Sequence, residues 1–166
     1  MKRLTLVRHG NAEWKDSSRD DFQRPLNKRG MKETDSIARR MLELDWAPEL
    51  LIASTAARTH TTAEIIAKVL SPKRVQFEER LYLAPVSEIL NVIRETGPLV
   101  THLMLVGHNP GISEAAQLLA PNETHELSTA CACSIVFRMS TWSDVTTGKA
   151  IESSYEAPSM LAKLWA

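Results

Sequence analysis

Two histidines sit where strand-like runs end. Leu4-Thr5-Leu6-Val7 leads into Arg8-His9-Gly10-Asn11, and Leu103-Met104-Leu105-Val106 leads into Gly107-His108-Asn109-Pro110. In open α/β sheets ligands bind in the crevice beyond the carboxyl ends of the strands, so these two imidazoles are in place to face one pocket. A third segment, Ser54-Thr55-Ala56-Ala57-Arg58, follows Leu50-Leu51-Ile52-Ala53 in the same way. There an arginine enters the first turn of a helix, against the positive end of the helix dipole, which makes sense when an anion binds at that end. Arg8 and Arg58 offer planar, two-pronged hydrogen bonding to a phosphoryl group, which lysine matches less well. His9, held rigidly at a strand end with Gly10 permitting close backbone approach to a ligand, is placed as a nucleophile, and His108 as a further hydrogen-bond donor. Singly, each residue also has a structural explanation: a strand-end histidine satisfied by backbone, an arginine reaching for solvent, a histidine capping the next helix. Their recurrence at three strand ends favours the chemical one.

The elements that must position these residues are legible as alternating strand-like runs and helical periods, the mark of an α/β fold with a substantially parallel sheet. Residues 2–7 form the first strand. After a polar loop over 11–25, Asn27 caps a helix whose apolar positions Ile37, Met41, Leu42 and Leu44 recur with helical spacing, ending near Trp46-Ala47-Pro48. Residues 50–53 read as a short buried strand, and a second helix runs to about Leu70 on Ala63, Ile66, Ala67 and Leu70. An edge strand is expected over 75–78, then a helix capped by Ser87 and running through Arg94 with Ile89, Leu90 and Ile93 buried. Residues 101–106 are the next strand. Pro110 suits the first turn of a helix carrying Ile112, Ala115, Ala116 and Leu119, stopped by Pro121. Segments 131–139 and 149–156 read as an antiparallel pair on one edge, followed by a short helix from Pro158.

Composition narrows the classes of partner. The 166 residues suffice for one domain with a real core, and lysine plus arginine equals aspartate plus glutamate at 20 each. No global field therefore draws the chain to nucleic acid or an anionic membrane, and any attraction for an anion must be local. The apolar stretch before Arg8 is too short for a signal-peptide core or a membrane span, so a soluble cytoplasmic protein is expected. Cys131 and Cys133 alternate along a strand-like run, which predicts buried free thiols on one face, and no second Cys or His pair completes a zinc site.

Arg8-His9-Gly10, Ser54 with Arg58, Ala63-Glu64 and Gly107-His108-Asn109-Pro110, in this order and spacing, resemble the histidine phosphatase (phosphoglycerate mutase-like) superfamily over nearly the whole chain. The short length, Arg24-Pro25-Leu26-Asn27 with Gly30 after it, and the Pro158 tail most resemble its SixA-like phosphohistidine phosphatases. The resemblance implies a phosphoglycerate mutase-like fold over 1–166, a three-layer α/β/α sandwich around a mixed, mostly parallel sheet. It implies His9 as the nucleophile, forming a phosphohistidine intermediate that water hydrolyses. It also implies that Arg8, Arg58 and His108 surround the phosphate oxygens, with Asn11 as a further donor, and that no metal or other cofactor is needed. The partner implied is a phosphorylated substrate, a phosphohistidine-bearing protein being the leading form. The alternatives are a small-molecule phosphomonoesterase of the same superfamily and a binding module that holds a phosphorylated ligand without turnover.

The departures from the family pattern carry information. Thr55 stands where the superfamily often has proline and Thr61 where it has glutamine, both away from the proposed chemistry. More telling, the position at which many ester-cleaving branches carry a glutamate corresponds to Leu83. An alkoxide leaving group needs a positioned acid, worth roughly 10²–10⁴ in rate, whereas imidazole leaves far more readily. A missing acid thus favours phosphoramidate over phosphate ester, with Glu13, Glu79 and Glu88 as the other carboxyl groups that the loops would have to bring in. His60 lies half a helical turn from Arg58 and is expected to be exposed, while His102 and His125 read as structural or solvated. Trp14, Lys15, Arg19, Asp20, Asp21 and Arg24 belong to a loop that either borders the site or is a solvated connection.

Overall fold

The structure, a computed structural model, describes residues 1–16, 18–120, 122 and 126–164. Its strands are β1 (Lys2–Arg8), β2 (Leu50–Ala53), β3 (Arg74–Phe77), β4 (His102–Gly107), β5 (Ala132–Phe137) and β6 (Ala150–Glu156). Between and after them lie α1 (Lys28–Glu43), α2 (Ala57–Leu70), α3 (Val86–Arg94), α4 (Gly111–Leu119) and α5 (Pro158–Leu164). Short 3-10 turns occupy Asp21–Gln23, Glu79–Leu81 and Trp142–Asp144.

The strands form one sheet in the order β3-β2-β4-β1-β5-β6. β3, β2, β4 and β1 run parallel, and β5 pairs antiparallel with both β1 and β6. Burial on both faces explains the near-continuous apolar runs of the central strands, since alternate side chains feed two different cores. Leu4, Leu6, Leu103 and Leu105 pack with Ile89 and Ile93 of α3 and Ile112 and Leu119 of α4. Val7, Leu51, Met104 and Val106 pack on the other face with Ile37 and Met41 of α1 and Ile66 and Leu70 of α2. The result is the expected three-layer α/β/α sandwich around a mixed, mostly parallel sheet.

This layering sets the place of the site. β1 and β4 are neighbours, yet the helix after β1 lies on one face of the sheet and the helix after β4 on the other. Their connecting loops therefore diverge, opening a crevice at the carboxyl ends of the two strands. α1 begins where expected: the Asn27 side chain accepts from the Gly30 amide, capping the helix, and also donates to Asn11 Oδ1. Gly10 and Gly30 meet at this junction, since a Cβ on Gly30 would lie 2.0 Å from the Asn11 carbonyl oxygen and one on Gly10 2.6 Å from Thr34 Oγ1. Gly10 is thus required by the packing of the loop on α1.

Two local expectations are corrected. α3 starts at Val86 with Pro85 in the capping position, so Ser87 lies inside the first turn and does not cap. Proline, fixed near the φ of −70° seen here, enters the helix without a side-chain acceptor. Leu42 is 52% exposed, because the buried stripe of α1 passes through Thr34, Ile37, Ala38 and Met41 and turns away from it. Cys131 and Cys133 are buried and form no disulfide, as their spacing predicts. Pro121 and His125 lie outside the described residues. Among the described residues no helix is long and apolar enough to cross a membrane.

Asn27 joins the loop after β1 to α1 by its cap and its contact with Asn11. Asn27→Ala is expected to destabilise the protein by about 1 kcal/mol. Urea unfolding reads this directly, and an unshifted midpoint with unchanged slope would contradict it.

Candidate active site

In-register pairing of β1 with β4, Val7 with Val106 and Arg8 with Gly107, carries both chains to the same level at the sheet's end. The His9 amide then donates to the Gly107 carbonyl at 3.2 Å, and the Ser54 amide to that of Val106 at 3.1 Å. Three strand ends are in this way tied together by backbone. The rings of His9 and His108 consequently lie with centroids 5.3 Å apart, inclined at 53°. Both are buried.

The two imidazoles are held in opposite ways. His9 Nδ1 is 2.7 Å from the Gly10 carbonyl oxygen, an acceptor only, so the proton is on Nδ1 and Nε2 keeps its lone pair. His108 Nε2 is 2.8 Å from Ser54 Oγ, which already accepts from the Ala56 amide at 3.4 Å. When the serine donates its proton to Nε2, the ring proton lies on His108 Nδ1, a buried nitrogen with no partner. Burial first, then the neighbouring Arg58 and Arg8, lowers the pKa of His9 to about 4. Burial, then His9 and Arg58, lowers that of His108 to about 3. At neutral pH both rings are uncharged.

A pocket of about 460 Å³ is lined by Arg8, His9, Asn11, Lys15, Asp21, Arg24, Arg58, Leu83, His108, Asn109 and Thr129, with Ala12. All of the sequence-predicted site residues, His9, Arg8, Arg58, His108 and Asn11, meet here. Arg58 in the first turn of α2 is 2% exposed. The Nε atoms of Arg8, Arg24 and Arg58 are buried without a hydrogen-bond partner, as is His108 Nδ1. Donors buried in this way are costly unless an acceptor arrives, and a cluster of them is suited to an oxyanion. Among the described residues no group of His, Cys, Asp and Glu is arranged to hold a metal ion.

Sequence reasoning left Arg24, Asp21 and Tyr82 unassigned. Arg24 and Asp21 belong to the loop after β1, and both line the pocket. Arg58 donates from Nη1 to the Asp21 carbonyl oxygen at 2.8 Å and from Nη2 to Asp21 Oδ2 at 3.1 Å. Tyr82 hydroxyl donates to the same Oδ2 at 2.6 Å, and its ring meets His108 edge-on at 5.4 Å. The Tyr82 hydrogen bond and then Arg58 hold the Asp21 carboxyl below the usual carboxylate range. Of the remaining loop residues, Lys15 lines the pocket, Asp20 caps the short turn, Arg19 pairs with Glu13 at the surface, and Trp14 is 95% exposed.

Leu83 lies at the pocket, half exposed, with a φ of 47° that side-chain-bearing residues rarely adopt. Neither Glu13, Glu79 nor Glu88 lines it, so none of the three candidate acids reaches the site. His60 is at the surface, stacked on Phe77 and paired with Glu64, as its phase predicts. His102 is structural, bonded through Nε2 to Thr5 Oγ1 and through Nδ1 to the Ala47 carbonyl oxygen, with burial lowering its pKa to about 4.

The sequence profile of the histidine phosphatase superfamily (branch 1) matches residues 4–82. A Picosynechococcus protein is 31% identical over 129 residues, 75% of this chain and 78% of that protein, and an Arabidopsis thaliana chloroplastic protein is 30% identical over 129 residues. The chain belongs to the histidine phosphatase superfamily. The aligned region spans 72% of this chain and 59% of the Arabidopsis protein's length, and both relatives are uncharacterised. A crystal structure from Agrobacterium tumefaciens, assigned provisionally as the phosphohistidine phosphatase SixA, superposes with a TM-score of 0.75 at 26% identity, covering 82% of this chain and 92% of that one. The structure of protein histidine phosphatase SixA complexed with tungstate has a TM-score of 0.78 at 19% identity, covering 96% and 99%, a likeness of fold. The phosphoglycerate mutase-like fold is thus shared.

Neutral burial of His9, His102 and His108 has a consequence for acid stability. In the unfolded chain these rings take up protons near pH 6.5, in the folded chain only near 4, 4 and 3. Between those values the unfolded state binds more protons, so stability is full above about pH 6.5 and is lost as pH falls toward 4. Thermal unfolding across pH 7.5 to 4.5 is expected to show a falling midpoint, shallower in His102→Gln relative to its own neutral value. A flat wild-type profile would refute this.

Proposed function

We propose that the protein is a phosphohistidine phosphatase, hydrolysing a phosphoramidate through a covalent intermediate on His9. The observation that carries this reading is the cluster of buried, unpartnered nitrogens, the Nε atoms of Arg8, Arg24 and Arg58 with His108 Nδ1, around a neutral imidazole. In the first step the lone pair of His9 Nε2 forms a bond to phosphorus as the P–N bond of the substrate breaks. The electron pair of that bond stays on the substrate ring, whose other nitrogen carries a proton, so neutral imidazole leaves. In the second, water attacks phosphorus, the bond to Nε2 breaks with its electrons returning to His9, and inorganic phosphate departs with the water proton lost to solvent. Arg8, Arg58 and His108, with Asn11 as a further donor, stabilise the spreading charge on the phosphoryl oxygens.

Positive charge comes from the arginines, so the reaction as read needs no metal. Leu83 supports phosphoramidate over ester, because an apolar side chain stands at the pocket where an alkoxide would require a proton. The chain is read as one catalytic domain over 1–166, and its two buried cysteines, not joined in a disulfide, fit a reducing compartment such as the cytoplasm. A phosphohistidine borne on a protein is the substrate form preferred.

Wild type and His9→Ala, assayed together on phosphohistidine, phosphohistidine peptides, and sugar and nucleotide phosphates, test the assignment. Wild type should hydrolyse phosphoramidates best and carry an acid-labile, base-stable phosphoryl label, both lost in His9→Ala. Full activity in His9→Ala would remove the nucleophile from the scheme. Ester turnover above phosphoramidate turnover would favour a small-molecule phosphatase, and tight phosphate binding with no turnover a binding module. Leu83→Glu, which supplies a carboxyl group at the pocket, is expected to raise phosphomonoesterase activity about tenfold or more relative to phosphoramidate hydrolysis. An unchanged ratio would refute the role given to Leu83.

A further inference from the structure

Asp21 is a carboxylate inside a pocket suited to anions, which asks for a reason. Its two oxygens divide between two arginines: Oδ2 accepts from Arg58 Nη2 at 3.1 Å, and Oδ1 pairs with Arg24 Nη2 at 3.4 Å. Its backbone oxygen takes the other terminal nitrogen of Arg58 at 2.8 Å. The terminal fork of Arg58 is therefore occupied by one residue, while the Nε atoms of both Arg58 and Arg24 remain buried and unpartnered. Asp21 is fixed in turn by the Tyr82 hydroxyl at 2.6 Å, and the Tyr82 ring is braced edge-on by Phe22 at 5.1 Å and lies against His108.

We propose that Asp21, anchored by Tyr82, is a positioning residue that holds Arg24 and Arg58 by their terminal nitrogens and so leaves their Nε edges for the phosphoryl group. This rests on reading the pocket as the phosphoryl site. A guanidinium binds an oxyanion bidentately either by its two-pronged end or by the side edge that includes Nε. With the end of Arg58 taken, the side edge is the one left. The carboxylate also lies between two like charges that would otherwise repel, so the pair can share one small pocket.

The opposing possibility is that Asp21 competes with phosphate for the arginines, and the two differ in sign. Removing a negative charge from a cationic pocket by itself tightens phosphate binding, whereas loss of a positioning group weakens it. The test is calorimetric titration of the full chain with inorganic phosphate, with phosphoramidate turnover and thermal unfolding in parallel, for wild type, Asp21→Asn and Tyr82→Phe. Asp21→Asn is expected to weaken phosphate binding about tenfold and to lower kcat more than it raises KM. Tyr82→Phe, which keeps the charge and removes only the hydroxyl anchor, should move both in the same direction by about threefold. It carries the test alone if Asp21→Asn does not fold.

Phosphate binding as tight as wild type, or tighter, in Asp21→Asn overturns the proposal in favour of competition. Unchanged binding and kcat in Tyr82→Phe overturns the anchoring part. Wild type that binds no phosphate overturns both this inference and the phosphoryl-site reading. Wild type that binds phosphate and responds to the variants as expected, yet hydrolyses no phosphohistidine, upholds the positioning role and refutes the substrate alone.

Discussion

Everything at the site depends on the parallel, in-register pairing of β1 with β4. That pairing brings Arg8 opposite Gly107 and so delivers His9 and His108 to the same height at the end of the sheet. The lacing continues past the strands: the Arg8 amide donates to the Cys131 carbonyl oxygen at 3.1 Å and the Ala130 amide to that of His9 at 3.0 Å. A slip of one residue would turn every side chain of β1 to the opposite face, taking Leu4 and Leu6 out of one core and Val7 out of the other. The hydrophobic pattern that builds the two cores is therefore the same constraint that sets the spacing of the imidazoles. Groups borne on paired strand ends are also held more rigidly than groups on long loops.

The second organising factor is desolvation. Neutral histidines, unpartnered arginine nitrogens and an ionised aspartate are gathered in one place, and each is there at some expense to the folded state. A buried donor without an acceptor costs about 1–3 kcal/mol. The core bears that expense, with apolar side chains buried on both faces of β1, β2 and β4. The site is a region of stored polarity, relieved when an oxyanion enters.

How much of this could be read from the chain alone follows from the range of each interaction. Strand runs, helix periods and the Asn27 cap are local, and residues 2–8, 28–43 and 102–107 fall where pattern and capping chemistry predict. His9, Arg8, Arg58 and His108 were legible because each stands at a strand end or in the helical turn that follows one, where topology alone brings residues together. Asp21, Arg24 and Tyr82 were not, since they reach the pocket through irregular turns whose course is set by packing. Arg24 had a signal in Arg24-Pro25-Leu26-Asn27, just upstream of the cap, but nothing in sequence says that its Nε would be left unpartnered. Gly10 shows the opposite error: its type was read correctly as permitting close approach, while the neighbour, Gly30 in α1, belongs to another element. Ser87 lost the capping position to Pro85, a competition between two plausible neighbours that local rules do not settle.

The divergence of the two loops at the sheet's end has an evolutionary implication. The strand-end residues His9 and His108 belong to other segments than the turn over 79–85, which brings Leu83 to the pocket. Leu83 is free to change while the strand-end pair and the residues assigned to hold phosphate stay in place. A lineage can in this way exchange one leaving group for another by substitution in a turn, with the folding core and the chemistry at phosphorus inherited intact.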